Sequence, residues 1–256
     1  MPVTTTELLR LASADNFRDV AGPGEGYPTR DGGRVRRGVF FRSNQLALSP
    51  EDAAVVAGLG LTAIHDLRRA DEIESNPDVE VPGATWHHHD VLGVGAADAV
   101  GNLDVEETVT MMERAYTDFV LDPASRAALG SLFGHLAHDP GPQLFHCTAG
   151  KDRTGWAGAV LLELAGVDDE VVFEDYLLSN DYSARSRAGY EEAIREALGE
   201  EAVAVLVPVL EVREEYLALS RRLVETTYGG LDGYLREGLG LDEATLTALA
   251  GKLRAA

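Results

Sequence analysis

A chain of 256 residues with 45% hydrophobic side chains carries enough apolar content for one substantial core, and no stretch of it reads as a linker. Its formal charge of −21 excludes general affinity for nucleic acid, because duplex binding depends on Lys and Arg neutralising phosphates. The single cysteine, Cys147, excludes an internal disulfide framework and a Cys-rich zinc site, and it fits a reducing compartment.

No N-terminal stretch joins a positive start to an apolar run and a small-residue cleavage site, and no apolar run reaches bilayer-spanning length. The expectation is a soluble, cytoplasmic protein without an integral membrane segment, with export by a route that needs no signal peptide left open. No self-similarity appears at a period of about 20–50 residues, which sets aside solenoid and array folds.

In chain order, short β-branched or aromatic runs bounded by Gly, Pro or charge predict strands over 35–41, 61–67, 84–90 and 143–147, with a helix at Pro50–Gly58 between the first two. The run from Trp86 to Asp90 contains three histidines, but alternation along a strand leaves only His87 and His89 on one side. Further ligands at metal spacing are lacking, so no metal site is expected. Gly93, Gly95 and Gly101 make 91–103 a flexible connection, and the span 91–122 is where a mobile lid is expected.

Asp104 and Glu107 form a capping box, after which Val109, Met112, Tyr116, Phe119 and Val120 recur at helical spacing up to Pro123. Leu129, Leu132, Phe133 and Leu136 continue in a second helix, and a third runs from Thr154 to Gly166 with Trp156, Ala157, Val160, Leu161 and Leu164 facing the sheet. From Asp168 onward the pattern is almost wholly helical; the acidic stretch from Glu191 to Glu201 reads as a solvated helix face. The sum is an α/β fold: a central sheet flanked by helices with a helical C-terminal portion, in a single domain over 1–256.

The segment from Gln143 to Gly155 places a strand, a glycine-containing loop and a helix start in that order. Such a turn leaves consecutive backbone N–H groups aimed inward, and the helix adds its own unpaired donors and positive dipole end, so the loop can cradle a tetrahedral dianion. The amides of Thr148, Ala149 and Gly150 belong to that cradle; Gly150 lets the backbone curl, and the Thr154 hydroxyl can reach the sulfur. Arg153, six residues after Cys147, can grip two phosphate oxygens in a planar fork. Alone, a cysteine ending an apolar strand is more often a structural thiol; beside these neighbours it reads as an activated nucleophile. Lys151 reads either as a contact to a second phosphate or as a solvated rim cation.

His146 and Cys147 through Arg153 and Thr154 resemble the Cys-x5-Arg signature of protein tyrosine and dual-specificity phosphatases. The interior from Gly150 to Gly155 is similar to the bacterial tyrosine and lipid phosphatases typified by the mycobacterial tyrosine phosphatase B. Further segments resemble that family in the same order: Asn16 to Val20, Phe41 to Ser43, Asp66 to Arg68, Asp175 to Asn180, and Tyr228 to Gly230 with Tyr234 and Leu235.

The resemblance implies a phosphatase-type fold, no cofactor, and metal-independent hydrolysis of phosphotyrosine, with phosphoserine, phosphothreonine and phosphoinositides as further substrates. A phosphorylated protein or a phosphoinositide is then the partner. Two carboxylates are candidate proton donors: Asp152 inside the loop, and Asp90, which the resemblance aligns with the acid on the mobile side of the cleft. Arg18, Arg42 and Arg68 either line the pocket or pair with carboxylates. A phosphate-binding module without turnover and a redox or sulfur-transfer cysteine are the competing classes.

Overall fold

The computed structural model describes residues 10–94 and 104–254. Strands β1 (Arg18–Asp19), β2 (Phe40–Ser43), β3 (Ala63–Asp66), β4 (Thr85–His88) and β5 (Gln143–His146) form one sheet in the order β1-β2-β5-β3-β4. The last four are mutually parallel and only β1 runs against its neighbour. Strand β5 is therefore central, in register with both β2 (Ser43 opposite His146) and β3 (Asp66 opposite His146), and the loop after it emerges at the carboxyl end of the parallel strands.

The helices are α1 (Pro50–Gly58), α2 (Ala70–Ser75), α3 (Val105–Leu121), α4 (Pro123–His138), α5 (Arg153–Ala165), α6 (Asp169–Tyr182), α7 (Ala184–Leu198), α8 (Glu200–Leu210), α9 (Glu214–Tyr228), the single turn α10 (Leu231–Gly233) and α11 (Glu243–Leu253), with a π-helical turn at Tyr234–Gly238. Alternation along the strands divides the apolar side chains between two cores. Phe41, Ile64 and Leu144 join Val56 of α1 in the smaller. Phe40 and Phe145 join the larger, with Phe119, Leu132, Leu161, Tyr176, Leu217 and Leu249 from the helices.

Local signals account for several boundaries. Ser49 caps α1 by accepting from the Asp52 amide, with Pro50 at its first position. Asp104 and Glu107 form the expected capping box on α3, and Asp122 caps α4 directly after α3 ends. Helix α5 stops at Gly166, whose φ of 88° suits a left-handed cap.

Two expectations need correction. The strand expected over 35–41 starts at Phe40, as β2, and not at residue 35; Val35 is buried but only bridges to Arg254. The two-residue β1 and the six-residue α2 were not expected, being too short for a periodic pattern. Within the 91–122 span, Val105–Leu121 is a helix whose Met112, Tyr116, Phe119 and Val120 are fully buried, so its apolar stripe is committed to the core. Positions 95–103 lie outside the described residues. Among the described residues no helix is long and apolar enough to cross a membrane.

Candidate active site

Cys147 directly follows β5 and is 2% exposed, yet it lies on the floor of a cavity of about 310 Å³. Thr148, Ala149, Lys151, Asp152 and Arg153 share that floor. Residues Arg69, Asp71 and Glu72, at and within the start of α2, form one wall; Arg187 and Tyr190 of α7 with Val209 and Leu210 of α8 form another.

The loop takes its shape from outside itself. The Gln45 amide donates to the Thr148 carbonyl at 3.1 Å, Asn16 Nδ2 to the Ala149 carbonyl at 2.8 Å, and Arg42 Nη2 to the Gly150 carbonyl at 2.9 Å. His146 Nδ1 lies 3.2 Å from the Cys147 carbonyl. Peptide planes whose oxygens are all drawn to the outside turn their N–H groups to the concave side, and the amides from Thr148 to Asp152 donate to no other described residue. Gly150 is obligatory on two counts: its φ is 68°, and a Cβ there would sit 2.4 Å from the Ser43 carbonyl oxygen.

Arg42 and Arg18 do not line the cavity. They lie buried beneath the loop with Asp175 between them, Arg18 Nε 3.3 Å and Arg42 Nη1 3.2 Å from its two oxygens, and both donate to Ser179 Oγ at 3.3 Å. Arg18 also donates to Asn16 Oδ1 at 3.1 Å, which orients the amide that holds Ala149. Burial would raise Asp175, but the two guanidiniums outweigh it and keep the carboxyl below its ordinary range. Arg68 supports the other flank, paired with Asp66 and Asp78 at 2.7 Å each. Asp78 in turn lies 3.2 Å from His146 Nε2; burial alone would lower that imidazole, and the carboxylates raise it instead. With a carbonyl at Nδ1 and a carboxylate near Nε2, His146 suits the doubly protonated form.

Sequence reasoning missed Glu72. Its carboxylate receives Arg153 Nη1 at 2.6 Å and Nη2 at 2.8 Å, and the Thr148 hydroxyl at 2.5 Å. Burial works to raise Glu72, but the hydrogen bonds and charge of Arg153 prevail and hold it at about 2. Arg153 Nη1 also reaches the Leu67 carbonyl at 3.3 Å. The end of the guanidinium is thus occupied, while its side edge, Nε–H with the outer Nη2–H, donates to no described residue and has the geometry for a bidentate contact. The only sequence signal for Glu72 was its place four residues beyond Arg68, outside the segment from Asp66 to Arg68 that carried the resemblance. Asn16 and Asp175 lay in segments that carried the resemblance, whereas Asp78 did not.

The other expected residues divide. Lys151 is buried and donates to Asp152 at 2.5 Å, and Tyr116 Oη donates to the other Asp152 oxygen at 2.9 Å, so this carboxylate is fixed at the cavity edge. Thr154 is fully buried at the start of α5 and is not part of the cavity lining; its Oγ1 has no partner among the described residues. Asp90 is exposed beyond the end of β4 and is not among the cavity-lining residues.

A model of the tyrosine phosphatase family matches residues 9–255. A triple specificity protein phosphatase of Mycobacterium tuberculosis, PtpB, is 31% identical, the match covering 95% of this chain and 98% of that one. A putative tyrosine-protein phosphatase of Cupriavidus necator is 33% identical over 93% of this chain and 86% of its own. Among solved structures, P. aeruginosa TpbA matches with a TM-score of 0.32 at 15% identity, over 80% of this chain and 88% of that one.

Proposed function

Since this chain belongs to the tyrosine phosphatase family, we propose that it hydrolyses phosphotyrosine through a phosphocysteine intermediate on Cys147, without a metal at the reacting centre. The single observation that carries this reading is convergence: Cys147, a row of loop amides and the side edge of Arg153, both without a hydrogen-bond partner among the described residues, meet in one cavity. In the first step the Cys147 sulfur attacks phosphorus in line, the bond from phosphorus to the leaving oxygen breaks, and Asp152 gives its proton to that oxygen. The loop amides and Arg153 hold the three equatorial oxygens. In the second step water attacks the phosphocysteine, Asp152 takes back a proton, and the thiolate departs with inorganic phosphate released. Thr154, whose buried hydroxyl has no partner among the described residues, donates to the departing sulfur.

Asp152 is preferred to Asp90 as the acid because it lines the cavity with its carboxylate held by Tyr116 and Lys151, whereas Asp90 is exposed and outside the lining. Lys151 sets a second cation at the cavity floor, and Val209, Leu210 and Tyr190 offer an apolar wall to an aryl group. That combination suits phosphotyrosine first. Phosphoserine, phosphothreonine and a phosphoinositide are the further substrates, in keeping with a relative named for triple specificity.

The deciding experiment is steady-state hydrolysis of a phosphotyrosine peptide, a phosphoserine peptide and a phosphoinositide by the wild type and by Cys147→Ser. Turnover by the serine variant at the wild-type rate would overturn the phosphocysteine mechanism, and absence of hydrolysis by the wild type would leave a phosphate-binding module or a sulfur-transfer cysteine. Asp152→Asn should lose rate most on substrates with poor leaving groups while Asp90→Asn keeps it; the reverse pattern would return the acid to Asp90.

A further inference from the structure

Four of the seven histidines, His65, His87, His89 and His135, gather on the face of the sheet that α4 covers. His87 comes from edge strand β4, His135 from the last turn of α4, and Asp139 from the C-cap of that helix. The rings of His87 and His135 lie 4.1 Å apart, and one Asp139 oxygen sits 2.9 Å from His135 Nδ1 and 3.5 Å from His87 Nε2. One ligand atom from each of the three residues fits within 4.8 Å of the others. Tetrahedral zinc, with bonds of about 2.0–2.1 Å to nitrogen and oxygen, sets its ligands about 3.3 Å apart. The two measured separations bracket that value.

A second observation concerns the layer behind these residues. Both N–H groups of the Gln143 amide donate to carbonyls, of Leu136 at 3.2 Å and Asp139 at 3.0 Å, so its oxygen faces His65 Nε2 at 2.8 Å and can only accept. That fixes the proton of His65 on Nε2. Nδ1 of His65 then accepts from Nε2–H of His89 at 3.1 Å, which leaves His89 Nδ1 as a bare lone pair. This nitrogen is buried and has no partner among the described residues, in a ring centred 5.6 Å from that of His135. A buried acceptor nitrogen without a partner, close to the His87 and His135 rings, calls for an explanation beyond packing.

The geometry points to a structural site for one divalent transition metal, of the zinc class, bound by His87, His135 and Asp139. Two imidazoles with one carboxylate, the fourth position left to water, are a donor set that such ions take, and the site clamps edge strand β4 to the end of α4. None of the three residues lines the cavity above Cys147, so the site is separate from the reacting centre.

The test is calorimetric titration of chelator-treated full-length protein with Zn²⁺ in a Cys147→Ser background, which removes the thiol as a competing ligand. The expected result is one equivalent bound and a raised melting temperature. His87→Gln, His135→Gln and Asp139→Asn should each weaken binding at least tenfold, and His138→Gln, one residue before Asp139, should leave it unchanged. Circular dichroism checks that each variant is folded; His87 is only part-buried on an edge strand, so His87→Gln keeps the test open if a helix variant fails. Absence of saturable binding, or equal affinity in wild type and the folded His87→Gln protein, overturns the site.

Discussion

The two sides of the phosphate loop use charge differently. Beneath it, Arg18, Arg42 and Asp175 are at most 3% exposed; Arg42 and Asn16 hold the loop's backbone carbonyls, and Asp175 accepts from both guanidiniums. On the cavity side, Glu72 and Asp152 are each 14% exposed and hold side chains, Arg153 and Lys151. The lower layer therefore fixes where the amides point, while the upper layer keeps cations extended until an anion arrives. A buried network loses heavily when one member is removed, because the others stay charged without a partner. A cavity-edge pair loses less, because water and substrate can take its place.

That contrast can be broken at several points. Asp175→Asn should have the largest effect on stability, about 3–5 kcal/mol in denaturant unfolding, since it leaves two guanidiniums buried without a carboxylate. Survival of wild-type stability would show that Asp175 is dispensable to the lower layer. Gly150→Ala should abolish most turnover, because the new Cβ meets the Ser43 carbonyl at 2.4 Å and the loop must shift. Activity within a factor of two of wild type would mean that the loop carries no such constraint.

Glu72→Gln tests the upper layer. It keeps an acceptor for Arg153 but removes a charge-assisted pair worth about 1.5–3 kcal/mol, so kcat/KM should fall about tenfold to a hundredfold with little change in urea midpoint. A fall in stability matching that of Asp175→Asn would erase the distinction between the layers.

The smallest effect is expected from pH. His146 is raised above 6.5 in the folded state, so its contribution is complete below pH 6.5 and is lost as pH rises through the raised value. Asp78 is lowered, so its contribution is present above its ordinary value of 3.8 and is lost as pH falls. The wild-type melting temperature should decline on the alkaline side, and Asp78→Asn should flatten that decline. An unchanged slope in the variant would remove Asp78 as the cause.

What the sequence alone made legible was contiguous. From Gln143 to Gly155 the strand, the loop and the helix start follow one another along the chain, and their chemistry depends on neighbours within a few residues; the capping box at Asp104 and the helix at Pro50–Gly58 are legible for the same reason. Glu72, 81 residues from Arg153, was not legible, because a six-residue helix leaves no periodic trace and an acidic side chain on it looks solvated. The histidines at 87 and 89 looked insufficient for a metal because strand alternation supplies only two ligands, and the others wait on α4 to bring His135 and Asp139 across the sheet. Local pattern determines what a segment can form; which charges meet is decided by chain crossings, since burial and pairing exist only once distant segments share one interior.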